Sequence, residues 1–225
     1  MTIIDKRIDG GKAFDWGRTS KDYAKYRDIY PQKFYEKILE RNLCIKRQKV
    51  LDLGTGTGVL PRNMYQYGAE WTGDVVTACQ CFCYFNHDII APKLAKILKE
   101  NGRLLILYMA WLPYEDEIAG KSEELVLKYN PKWNGAGETK HPIYIPNSIY
   151  EYFEMVSHEE YMIKIPFTKE SWNGRMKACR GIGASLSPNE IVEWEQEHLH
   201  LLEKIAPKNF EILHYGAIAE LKVKC

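Results

Sequence analysis

Charge imbalance is nearly absent: 31 Lys and Arg face 30 Asp and Glu across 225 residues, leaving a net charge of +1. A chain this balanced has no overall field to draw it onto nucleic acid or an anionic membrane surface, and neither partner is expected. Long apolar runs are missing as well. The longest, Leu104 to Leu112, falls far short of the roughly 20 residues that span a bilayer. The opening MTIIDKRIDGG lacks the apolar core of a secretory leader. Cysteine is sparse, six in all, without the dense spacing of a disulfide scaffold, so reduced thiols and a cytoplasmic setting are expected. No internal repeat, low-complexity tract or Pro/Gly/Ser linker divides the chain. What these absences leave is a globular protein of single-domain length, with 45% apolar residues to build its core.

What is present is alternation. Ser20 can cap a helix carrying Tyr23, Tyr26 and Ile29, and Pro31 opens a second with Phe34, Ile38 and Leu39. Val50, Leu51 and Leu53 form a short buried strand that runs into a glycine-rich turn, and residues 58–67 read as the helix that follows, ended by Gly68. Asp88 can cap a helix with Ile90, Leu94, Ile97 and Leu98 on one face. Arg103 to Met109 is then an apolar run of strand length. Strand, helix, strand in repetition argues for a parallel sheet covered by helices. In the second half, a helix lies near residues 115–128, Ser157 to Ile165 resembles an edge strand, and residues 168–180 form a helix. Ser187-Pro188-Asn189-Glu190 is a capping box opening a helix to Ile205. Phe210 to Val223 closes the chain as one or two strands, giving a final antiparallel pair.

One stretch resists this scheme. Ala69 to Gly73 reads as a strand and Asp74 to Cys79 as another, with nothing between them, although a parallel crossover needs a dozen residues or more. Either the stretch is one continuous strand or a β-α-β segment is missing at the 73/74 junction; the second is the preferred reading.

The chemistry-bearing motif is Asp52-Leu53-Gly54-Thr55-Gly56-Thr57-Gly58. Glycines allow open dihedrals and close backbone approach to a ligand, which suits a nucleotide-like cofactor at the carboxyl end of a first strand. A dinucleotide fingerprint would place its third glycine at position 59, where this chain has Val59, which counts against a nicotinamide-dependent oxidoreductase. VLDLGTGTG resembles motif I of the class I S-adenosylmethionine-dependent methyltransferases, in particular small-molecule members of the methyltransferase type 11 kind. FDWGRTSKDYAKYR resembles the cap that precedes that motif, DVVTACQCFCYF the fourth strand and its turn, LAKILKENGRLLIL the helix and fifth strand, and FEILHYGAIAELKV the last strand.

The resemblance implies a Rossmann-like α/β fold with a mostly parallel sheet, helices on both faces and an N-terminal helical cap. The chain then divides into a cap (1–45), a cofactor-binding half (46–110), a substrate-side insertion (111–205) and a last strand (206–225). It implies S-adenosyl-L-methionine as cofactor and a small-molecule methyl acceptor, with Tyr26, Arg27, Asp52, Gly54, Thr55, Gly56, Gly58, Cys79 and Gln80 at the cofactor. It also implies seven strands, with an acidic residue after the second strand for the ribose and another acidic or polar residue near the third for the adenine. Both fall at the 73/74 junction, where roughly 30–40 residues are missing by the size of a β-α-β unit. Asp74 reads as a fourth-strand residue rather than as the ribose acid.

Tyr84, Tyr108, Trp111, Arg175 and Arg180 are candidates for the acceptor pocket. Trp111 and Tyr108 crowd a region with Trp133, His141 and Tyr144, and Trp172, Arg175 and Arg180 share a broad face of the expected helix, where arginines suit a carboxylate or phosphate. Tyr84 and His141 are candidate general bases. Cys79, Cys81 and Cys83 alternate as on one strand face, but lack a fourth ligand and the usual loop spacing, so no metal is expected. The alternative is a non-catalytic binding protein on the same fold. The chain is expected to be a monomer or a homodimer.

Overall fold

The structure, a computed structural model, describes residues 2–224 apart from the side chains of residues 71–73. Among these the chain runs α1 (Ser20–Tyr26), α2 (Gln32–Leu39), β1 (Lys49–Leu53), α3 (Val59–Met64), β2 (Glu70–Cys79), α4 (His87–Ile97), β3 (Arg103–Trp111), α5 (Glu117–Tyr129), α6 (Asn147–Tyr150), β4 (Phe153–Thr168), α7 (Lys169–Lys177), α8 (Pro188–Ile205) and β5 (Asn209–Val223). No helix among the described residues is long and apolar enough to cross a membrane.

Five strands form one sheet in the order β1-β2-β3-β5-β4. β1 and β2 are parallel, with Val50 opposite Val75 and Leu53 opposite Ala78, and β2 and β3 are parallel from Val75 opposite Arg103 to Cys79 opposite Leu107. β3 is buried almost throughout, as a central strand covered on both faces must be. β5 runs against β3: the Leu112 N–H bonds the Leu213 carbonyl near one end, and the Val223 N–H bonds the Gly102 carbonyl near the other. β4 runs against β5 in turn, since the Ser157 hydroxyl reaches Glu220 at 3.3 Å and the Tyr161 ring covers Gly216. The expected α/β sheet with a final antiparallel pair is therefore present, and the segment around Ser157 is an edge strand.

The stretch read as two strands, Ala69–Gly73 and Asp74–Cys79, is one strand, β2. Its pairing with β1 jumps: Glu70 stands opposite Lys49 and Val75 opposite Val50, so residues 71–74 have no counterpart on β1. Among the described residues no strand lies beyond β1. The sheet is thus two strands short of the seven that the resemblance implies, on the side where the junction falls.

The chain forms two compact units. The first comprises Met1–Ile29, Ala110–Thr139 and Ile163–His214, the second Tyr30–Met109, Lys140–Met162 and Tyr215–Cys225. The second unit is built on the sheet residues Val76, Ala78, Leu104, Ile106, Ala219 and Leu221, packed against Leu94 and Leu98 after β2 and against Ile149 and Phe153. The first buries Phe14, Trp172, Trp194, Leu202 and Ile212.

Helix boundaries follow local chemistry. Asn86, not Asp88, caps α4 by accepting the Ile89 N–H, and Ile97 is 53% exposed while Leu94 and Leu98 are buried. α7 is capped by Thr168 in a reciprocal box with Ser171 and ends at Lys177, so Arg180 shares no helix face with Arg175. α8 opens as expected: the Ser187 hydroxyl accepts the Glu190 N–H, the Glu190 carboxylate accepts the Ser187 N–H at 2.8 Å, and Pro188 fills the first turn. Ser187→Ala is expected to destabilise the fold by about 1 kcal/mol, read as a lowered urea midpoint at unchanged slope.

Candidate functional site

In the second unit β1 delivers the chain at Leu53 into the glycine turn. Gly54, Gly56 and Gly58 all have positive φ, +61°, +57° and +75°. At Gly54 the space is taken as well, because a Cβ would lie 2.9 Å from Cys81 Cβ and 3.0 Å from its sulfur. At Gly56 it is open: a Cβ would meet only the Gly54 carbonyl oxygen, at 3.8 Å. The turn is closed by the Gly58 N–H on the Thr55 carbonyl at 2.8 Å. Behind it, the Asp52 carboxylate accepts the Thr77 hydroxyl at 2.6 Å. Burial pushes this carboxyl above its usual value, against the opposing hydrogen bonds from Thr77 and Thr55. The Thr57 hydroxyl oxygen is buried and has no hydrogen-bond partner among the described residues.

β2 ends beside this turn. The Cys79 thiol lies 3.6 Å from the Tyr30 hydroxyl, and Tyr30 is stacked on Phe34. Gln80, at φ +60°, is pinned to β3 through its N–H on Leu107 O at 2.9 Å and its side-chain amide on Met109 O. The Cys81 thiol donates to Leu53 O at 3.1 Å, and burial raises it to about 12, which leaves it unreactive. The three cysteines do not share a strand face, because β2 stops at Cys79 and Gln80 turns left-handed. Among the described residues no group of three His, Cys, Asp or Glu is placed to hold a metal ion.

Tyr84 follows in a half-buried 3-10 turn, Phe82–Tyr84. Tyr108, half-buried on β3, has its ring 5.9 Å from that of Tyr215, which in turn lies 5.9 Å from the exposed His141 ring. The carboxyl ends of β1, β2 and β3 thus gather Asp52, the glycine turn, Cys79, Gln80 and Tyr108, and Tyr215 joins them on to His141. Tyr215 carries no signal in the sequence, being one aromatic in an apolar final strand. Tyr144, by contrast, is 79% exposed.

Asp74 lies at the opposite end of the ladder, within β2 just before Val75, where its carboxylate takes Lys99 at 2.6 Å and the Lys49 N–H at 2.8 Å. It is therefore separated from the glycine turn, which follows β1 at the other end of that ladder. A cleft of about 400 Å³ opens at this end, and in its lining Glu220 bonds Arg103 at 3.0 Å and lies 3.8 Å from Arg41.

The first unit holds the other candidates. The Tyr26 hydroxyl lies 3.1 Å from Glu170 Oε1, and the Arg27 guanidinium stands 4.7 Å over the Tyr23 ring. Arg175 is 4% exposed, with its guanidinium 4.8 Å over the ring of Trp111. Trp111 donates its indole N–H to Glu123 at 2.5 Å, and the other Glu123 oxygen accepts the Gly137 N–H at 2.8 Å. Burial raises the Glu123 carboxyl. Arg180 makes a forked ion pair with the buried Asp9 at 2.8 and 3.0 Å and bonds Asn134 at 2.6 Å, so its guanidinium ties loops together. Trp133 packs against Gly181. Glu123 escapes a sequence reading because an acidic residue inside a helix looks like a solvated face.

No family model matches the chain, and no curated protein matches it. Solved structures do. One, assigned as a type II methyltransferase from Anaeromyxobacter dehalogenans, is 11% identical, covers 86% of this chain and 95% of its own, and superposes with a TM-score of 0.51. Others are assigned as a methyltransferase from Bacillus halodurans C-125 (13% identity, 85% and 99% coverage, TM-score 0.43) and a sarcosine dimethylglycine methyltransferase from Galdieria sulphuraria (13%, 85% and 84%, 0.42). At such identity the first of these speaks for the fold alone. The parallel β1-β2-β3 order, the glycine turn after β1 and the antiparallel β5-β4 pair agree with it: the chain has the Rossmann-like fold of the class I methyltransferases.

Proposed function

We propose that the protein transfers a methyl group from S-adenosylmethionine to a small-molecule acceptor. The observation that carries this reading is the turn after β1, whose backbone at Gly56 is held at positive φ with open space where a side chain would stand. A bare backbone of this kind at the carboxyl end of a parallel strand suits close approach of a cofactor. With the buried, unpartnered Thr57 hydroxyl beside it, the turn fits the methionine end of that cofactor. Among the described residues no strand beyond β1 carries the acids that the resemblance assigns to the ribose and adenine, so fewer of them hold the nucleoside end.

The bound cofactor supplies a methyl group already activated on a sulfonium. The work left to the chain is to bind, align and exclude water. Backbone at Gly54, Thr55, Gly56 and Gly58 cradles the cofactor, and Asp52, fixed by Thr77, holds the turn in shape. Cys79 and Gln80 border it. On the resemblance, Tyr26 and Arg27 reach the cofactor's methionine end, and Arg27 pairs with its carboxylate. In the second unit Tyr84 and Tyr108 offer aromatic surface to an acceptor, and in the first Arg175, lying over the Trp111 ring, suits a carboxylate or phosphate. An amine or hydroxyl acceptor must lose a proton, and His141 or Tyr84 takes it. Arg180 is committed to Asp9 and serves the frame.

Calorimetric titration with S-adenosylhomocysteine tests the reading. Binding near 1 μM, worth about 8 kcal/mol, is expected. Failure to bind, or binding of NADH instead, would sink it, the former leaving a binding protein on a methyltransferase fold.

A further inference from the structure

Within the first unit, α7 carries Gly174 in its interior, where glycine is a poor helix former and alanine the best. The reason lies on α1. A Cβ at Gly174 would stand 2.3 Å from Tyr26 Cδ2, 2.4 Å from Cε2 and 2.6 Å from Cγ, separations that no pair of carbon atoms tolerates. The Tyr26 ring therefore occupies the place of the missing side chain. One turn earlier on α7, Glu170 Oε1 meets the Tyr26 hydroxyl at 3.1 Å, and Lys25 Nζ reaches both oxygens, at 2.6 Å and 3.1 Å. Tyr26 is held at both ends, its ring in a notch that only glycine leaves and its hydroxyl on a carboxylate. Arg27 follows directly as the residue that ends α1, its N–H on the Tyr23 carbonyl at 3.0 Å.

We propose that Gly174 is a positioning residue: its notch sets where the end of α1 lies, and with it Tyr26 and Arg27. The functional part of this inference rests on the reading that those two residues hold the cofactor's methionine end. The steric part does not, and the two separate experimentally.

The test is a double-mutant cycle of Gly174→Ala and Tyr26→Ala, read by urea midpoint, by amide hydrogen exchange of residues 24–27 and by S-adenosylhomocysteine titration. With Tyr26 present, Gly174→Ala lowers the midpoint, speeds exchange at the end of α1 and weakens binding by about tenfold or more, as displaced binding groups do. In the Tyr26→Ala background the same substitution raises the midpoint, because only the helix preference of alanine remains. A raised midpoint in both backgrounds with unchanged α1 exchange overturns the notch. Reversal of sign with unchanged affinity shows packing alone and overturns the positioning role. Reversal of sign in a wild type that itself binds no S-adenosylhomocysteine refutes the methyltransferase reading and leaves the notch standing. If Gly174→Ala alone does not fold, the Gly174→Ala/Tyr26→Ala double variant decides: a folded protein with a midpoint above that of Tyr26→Ala supports the notch, and failure of the double variant to fold overturns it.

Discussion

Acidification from pH 6 to pH 4 is expected to remove about 5 kcal/mol of stability, most of the reserve of an ordinary domain, through two buried histidines. His198 and His214 are both pushed down to about 3 by burial, from an ordinary 6.5. His198 is stacked on Trp194 and lies 2.8 Å from Asn173 Oδ1 and 3.0 Å from the Ser122 hydroxyl. The Asn173 amide nitrogen is committed to Glu195, so its oxygen faces the ring, while the Ser122 hydroxyl donates to the Ile118 carbonyl at 2.7 Å and accepts the Trp172 indole N–H at 3.0 Å. His214 donates from Nδ1 to the Ile212 carbonyl at 2.9 Å, with aromatic rings of Phe167 and Trp172 beside it.

Neither ring takes a proton in the folded state until about pH 3, whereas in the unfolded chain both do so near 6.5. Between those values the unfolded state binds more protons, so stability is full above pH 6.5 and falls as pH drops towards 3. Each ring contributes about 1.4 kcal/mol per pH unit. The raised carboxyls of Asp52 and Glu123 oppose this in part, since their values favour the folded state in acid. Urea midpoints at pH 7, 6, 5 and 4 check the prediction. His214→Phe should flatten the slope by about half, and a flat profile in the wild type would refute the assignment of both rings as neutral.

Gly54→Ala is expected to abolish S-adenosylhomocysteine binding and to destabilise the protein by about 2–5 kcal/mol, because two costs add. A left-handed backbone costs a side-chain-bearing residue about 1–2 kcal/mol, and overpacking against Cys81 adds about 1–3 kcal/mol. Gly56→Ala carries the first cost without the second, since its Cβ meets open space. The pair of variants therefore separates backbone strain from steric conflict in urea titrations. Equal midpoints for the two would show that Cys81 yields and that the turn is not held from behind.

The parts of the fold legible in the sequence are those written in local code. KVLDLGTGTG specifies a strand and a turn within ten residues, with a helix opening at the next, and Ser187-Pro188 with Glu190 specifies the start of α8, because capping is a contact between near neighbours. Signals that depend on a second segment were not legible. Cys79, Cys81 and Cys83 alternate like strand residues, yet Gln80 breaks the strand because its amide bonds β3, some 30 residues on. Asp88 looks a fitting cap, but Asn86 reaches the Ile89 N–H first. Gly174 is unremarked in a helix until Tyr26 is set against it, and Arg175 and Arg180 look alike until Asp9 takes one of them. The site follows the same rule. Its glycine turn is local, whereas Tyr215 and Glu123 acquire meaning only through rings and N–H groups brought from elsewhere in the chain.

The unmatched residues 71–74 also make the protein a natural acceptor for added sequence. Val75–Cys79 keep their partners on β1 and β3 whatever precedes them, so a longer segment between Glu70 and Val75 disturbs neither ladder. Its entropic cost grows slowly, about 0.6 kcal/mol for each doubling of loop length. A grafted helix and strand could therefore be laid along the outer side of β1 without re-registering the rest, turning a five-stranded scaffold into a host for new binding surface next to the glycine turn.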